Sequence, residues 1–65
     1  MNYLRQVTFY EFMNLRKGDE VYLKIGPEFY KSIVVRECFY NADADDPDFE
    51  IETTNGFTDS ISVYI

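Results

Sequence analysis

Sixty-five residues with a formal net charge of −6 make one small domain, and six Phe and six Tyr must supply much of its core. The single cysteine, Cys38, closes no internal disulfide, and without histidine the chain has no histidine-based triad and no structural zinc site. A pI near 4.3 sets the chain against direct binding to nucleic acid or to an anionic membrane, both of which repel it.

The charge is one-sided. Residues 1–36 hold all six bases (Arg5, Arg16, Lys17, Lys24, Lys31 and Arg36) and four acids, for a net +2. Residues 37–65 hold eight acids and no base, for a net −8. Aromatic and β-branched residues are plentiful, so the chain is expected to fold. No run nears the ~20 apolar residues of a membrane span, and no secretion signal opens the chain. With a free cysteine, this makes a cytoplasmic protein the expectation.

In chain order, Met1–Gln6 reads as a short edge strand or an extended arm. Val7–Leu15 reads as a short helix: Thr8 and Glu11 have the spacing of a capping box, and Val7 and Phe12 that of a hydrophobic staple. Phe9, Phe12 and Met13 share one face, and Lys17-Gly18 is expected to close the element. Glu20–Ile25 alternates as a strand with Val21, Leu23 and Ile25 inward, and Gly26-Pro27 signals a turn. Phe29–Tyr40 is a long run whose two parities are both mixed, as expected of a bent strand that changes partners midway. Asn41–Pro47 is loop-like, and the segment after it alternates Phe49, Ile51 and Thr53 with Glu50, Glu52 and Thr54. Asn55-Gly56 predicts a two-residue hairpin loop. That pairing would put the apolar sets of the two strands on opposite faces, so a bulge at Gly56 or a helical turn at Thr58–Ser60 must shift the register. The last strand is then Ile61–Ile65 with Ile61, Val63 and Ile65 inward.

These elements give a single mainly β domain over residues 1–65, with a helix at about 8–16 and strands over about 19–65. The architecture resembles an SH3-like small antiparallel barrel preceded by a short N-terminal helix, over roughly Lys17–Ile65. An open antiparallel sheet packed on the helix is the alternative. The signalling SH3 pattern needs a tryptophan that the chain lacks, so proline-rich peptide binding is not implied.

Six of the eight late acids, Asp43, Asp45, Asp46, Asp48, Glu50 and Glu52, fall within ten residues. A calcium loop fits them only in part. Asn41, Asp43, Asp45 and Glu52 match EF-hand ligand positions, but Asp46 stands where glycine makes the sharp turn and the flanks read as strands. No metal or other cofactor is therefore expected. Cys38 lies in the most apolar stretch and reads as a core residue, and no pair of groups suggests an enzyme. Charge runs most often keep a surface soluble. The sharper reading is that acids at alternate strand positions (Asp46, Asp48, Glu50, Glu52) stand about 6–7 Å apart, on the scale of phosphates along a nucleic-acid strand.

In size and charge the chain resembles small acidic phage- or plasmid-encoded DNA mimics, such as anti-restriction, anti-CRISPR and glycosylase-inhibitor proteins. That resemblance implies a protein-binding module that occludes a basic site on a nucleic-acid-binding partner; no residue carries over from it, and the six carboxylates are the expected surface on the charge run alone. Two other readings stand beside it. One is a structural or self-associating protein, a homodimer included, anchored by Tyr22, Tyr30, Tyr40 and Tyr64. The other, nucleic-acid binding through the six dispersed bases, is opposed by the total charge.

Overall fold

The structure, a computed structural model, describes residues 3–65. A short helix, α1 (Phe9–Met13), precedes five strands: β1 (Glu20–Ile25), β2 (Glu28–Asn41), β3 (Asp48–Thr53), β4 (Gly56–Thr58) and β5 (Val63–Tyr64). A 3₁₀ turn, Ser60–Ser62, separates the last two. All strand pairs are antiparallel, in the order β4-β3-β2-β1-β5. Among the described residues no pairing joins β4 to β5, so the sheet is open and the closure of a small barrel is absent.

Helix α1 starts where the sequence places it. The Thr8 hydroxyl accepts from the Glu11 N–H, and the Glu11 carboxylate accepts from the Thr8 N–H. Val7 and Phe12, the staple pair, are both buried in the core. The helix is shorter than expected. Asn14 ends it by donating its side-chain N–H to the Tyr10 carbonyl, and Gly18 serves instead in the turn into β1, at φ +97°. Of the three residues placed on one helical face only Phe12 is buried; Phe9 and Met13 stand about half exposed. Residues 1 and 2 of the N-terminal segment lie outside the described residues. The rest of it is an extended arm. Gln6 bridges Tyr64, Arg5 and Ile65 exchange backbone hydrogen bonds, and the Val7 N–H donates to the Val63 carbonyl, which covers the free edge of β5.

Strand β2 explains its own mixed pattern. Its first half, Glu28–Ile33, pairs with β1, and its second half, from Val34, pairs with β3. The register with β3 slips between Val34 and Arg36 and again between Arg36 and Phe39. Each slip adds one residue to β2 and reverses which face the next side chain takes. Val34 therefore points into the core, Arg36 and Phe39 take the outer face, and Cys38 packs against the core between them.

The core is Val7, Phe12, Val21, Leu23, Val34, Ile51 and Val63, drawn from the arm, α1 and four strands, with Leu15 and Cys38 against it. Each such burial stabilises by about 1.5–3 kcal/mol. Ile25, expected inward, overhangs at the β1–β2 turn and is 55% exposed. The β3–β4 loop is Thr54-Asn55, one residue earlier than predicted, with Thr53 opposite Gly56 and Glu52 opposite Phe57. This displacement preserves parity, so the register conflict persists along β4 and Phe57 points outward. The 3₁₀ turn resolves it. Asp59 caps the turn, and the chain leaves β3–β4 to pair with β1, where Val63 opposite Leu23 is fully buried. The last strand is only Val63–Tyr64; Ile61 is 68% and Ile65 37% exposed, contrary to the inward placement expected of both.

Candidate functional site

The six acids do not form one uniform strip. β2 and β3 meet at the pair Asn41–Asp48, and the loop between them carries Asp43, Asp45 and Asp46, all exposed. Asp46 therefore stands in the loop and not in the expected strand row, which reduces to Asp48, Glu50 and Glu52. Asn41 pins the root of this hairpin. Its Nδ2 donates to Glu50 Oε1 at 2.7 Å, and its Oδ1 accepts from the Asp43 N–H at 3.2 Å. Asp48 accepts from the Phe49 N–H at 2.7 Å and stays exposed.

Glu50 and Glu52 are half-buried on the outer face of β3 because aromatic neighbours flank them. Glu50 lies opposite Phe39, and Glu52 lies between Arg36 on β2 and Phe57 on β4. The Phe39 and Phe57 rings meet edge to face at 5.8 Å, and the Arg36 guanidinium sits 3.6 Å above the Phe39 ring. A base thus stands across from the strand part of the acidic run, although none is near it in sequence. Among the described residues none of the six acids forms an ion pair. Cys38, behind this face, is half-buried, and burial followed by the charge of Asp48 pushes its thiol pKa up.

The other side of the hairpin root carries a group the sequence reading did not assemble. Tyr40 and Phe49 are cross-strand partners with rings 5.2 Å apart, and Phe9 from α1 packs edge to face on Phe49 at 5.6 Å. Phe12 stacks on Phe9 from within the core. The three outer rings remain 54%, 39% and 48% exposed for Tyr40, Phe49 and Phe9. Phe49 and Tyr40 border the acidic loop in sequence, which was the available signal, but only the second slip of β2 puts them opposite each other.

The basic residues are dispersed, and two of them are engaged with acids of the same half. Arg5 makes a two-pronged pair with Glu11, and Lys31 pairs with Glu20 at 3.3 Å. Of the four tyrosines proposed as anchors, Tyr30 and Tyr40 are exposed, while Tyr22 and Tyr64 are half-buried. Among the described residues there is no pocket, and no three acidic or thiol side chains converge as a metal ion would need. No protein-family model, curated protein or solved structure matches the chain.

Proposed function

We propose that the chain is a small acidic protein-binding module whose Asp43, Asp45, Asp46, Asp48, Glu50 and Glu52 occupy a basic surface on a partner, in the manner of a nucleic-acid-mimicking inhibitor. One observation supports this most. Four of the carboxylates stand exposed on a hairpin whose root is held by Asn41, and no ion pair among the described residues neutralises them. Charges held in this way steer a partner without first having to be freed. The row Asp48, Glu50 and Glu52 adds strand spacing of about 6–7 Å. The reading involves no catalytic step, cofactor, metal or direct contact with nucleic acid, and it takes the protein as cytoplasmic. It also takes the fold as an SH3-like small barrel left open along one seam. The bend in β2 and the return of β5 to β1 support that view.

The test begins with co-purification from the native host at low salt, followed by titration of the retained partner. Reversing Asp45, Asp46 and Asp48 to Lys should weaken binding by more than about tenfold, and wild-type affinity should fall steeply with salt. Unchanged affinity after charge reversal would defeat the proposal. The alternative, self-association through outward tyrosines, keeps Tyr30 and Tyr40 as exposed anchors, and light scattering of the concentrated chain separates it.

A further inference from the structure

We infer that the partner segment meeting this surface is arginine-rich, with guanidinium groups lying on the Phe9–Phe49–Tyr40 cluster while they pair with the carboxylates of the adjoining loop. This rests on the acidic-surface proposal and specifies the partner's chemistry. Two features of the hairpin root converge on that chemistry. The first is aromatic surface left open: three rings, 39–54% exposed, held edge to face at 5.2 and 5.6 Å. The second is charge of one sign: the Tyr40–Phe49 pair closes onto the loop of Asp43, Asp45 and Asp46, all exposed.

An open ring beside carboxylates suits a cation that is planar and weakly hydrated. Guanidinium stacks on the ring face and still presents paired N–H donors to a carboxylate. Ammonium is a compact, strongly hydrated charge that gains less from the ring. A nucleic-acid base would stack as well, but its phosphates would meet four exposed carboxylates. A wholly apolar segment would leave the carboxylates unused. Both contacts already occur within this chain, as Arg36 lies 3.6 Å above the Phe39 ring and Arg5 grips Glu11 with two hydrogen bonds.

The test titrates the intact, isotope-labelled chain with a hexa-arginine and a hexa-lysine peptide, matched in charge, at low salt. Hexa-arginine should bind about fivefold more tightly, with its largest NMR shifts at Phe9, Tyr40 and Phe49. Tyr40→Leu, at an exposed position, should bring the ratio of the two affinities towards one. Tyr40→Trp should raise it, because tryptophan offers the better face. Asp45→Asn with Asp46→Asn should weaken both peptides alike. Equal affinities, with shifts confined to residues 43–48, would overturn the inference and leave the acidic surface standing. Arginine-specific shifts at Phe39 and Phe57 would overturn its placement. If neither peptide binds, both the inference and the acidic-surface reading fall.

Discussion

Glu11 shows how much one side chain can carry in a fold this small. It closes the capping box of α1 and ties the helix to the arm that covers β5. The Arg5 hydrogen bonds, followed by the Thr8 N–H, hold its carboxyl at about 2 against an ordinary value of 4.5. A carboxyl whose folded pKa is depressed stabilises the fold fully above the unfolded value, and that contribution drains away as pH falls through the folded one. The window is therefore from 4.5 down to about 2. Glu11→Gln preserves side-chain length and a hydrogen-bonding cap but removes the charge. Thermal melts should show the variant less stable than wild type at pH 7, with the gap narrowing below pH 4.5 and closing near pH 2. A gap that persists at pH 2 would show that packing around residue 11, and not its charge, holds the arm. Both partners face solvent, so added salt should also shrink the gap at pH 7.

Among elements, what was legible in the sequence was what is decided locally. The Thr8–Glu11 box, the strand Glu20–Ile25 and the turn at Gly26-Pro27 depend on neighbours within a few residues, and all three appear, with burial alternating as far as Leu23. The phase of β2 does not depend on neighbours. Its two slips exist only against β3, so the need for a bend could be read but the face of Arg36, Cys38 or Phe39 could not. The acidic run was equally plain, whereas the cluster beside it joins Phe9 to Phe49, about forty positions away. The β3–β4 loop shows side chains overriding a strong local signal. Thr53 Oγ1 accepts from the Asn55 N–H and donates to the Gly56 carbonyl, and the Thr54 hydroxyl reaches buried Ser32 and the Ile33 N–H on β2. These bonds draw the loop back to Thr54-Asn55 and leave Gly56 as the first residue of β4, at φ +103°. No atom would meet an added Cβ there, so the penalty for a side chain is one of backbone alone. Gly56→Ala should cost about 1 kcal/mol in urea denaturation, and Gly56→Asn less. If alanine proves neutral, residue 56 does not hold the positive φ that favours glycine there.

For the molecule as a whole, charge asymmetry opposes compactness. The two ion pairs among the described residues lie in the first half of the chain, and both are exposed, so screening them loses little. Residues 37–65 carry eight acids and no base, so like charges press on one another there. The range of that repulsion decides the outcome. At 0.01 M ionic strength the Debye length is about 30 Å, longer than the 24 and 20 Å minor dimensions of the molecule, so nearly every charge feels the net −6. At 0.15 M it is about 8 Å, and only neighbours interact. Repulsion across the molecule is thus screened out over this range, while the short contacts within the two pairs are screened less. Tm should therefore rise as salt increases from 0.01 to 0.15 M, the reverse of a fold held by its salt bridges. Asp45→Asn with Asp46→Asn, which cuts the net charge from −6 to −4 at exposed loop positions, should raise the low-salt Tm and flatten its dependence on salt. Differential scanning calorimetry of the two proteins across the salt series checks both. A wild-type Tm that falls with salt would mean that the Arg5–Glu11 and Lys31–Glu20 pairs outweigh the acidic run. A double variant no more stable than wild type at low salt would mean that the loop carboxylates already stand far enough apart to add little strain to the fold they are carried on.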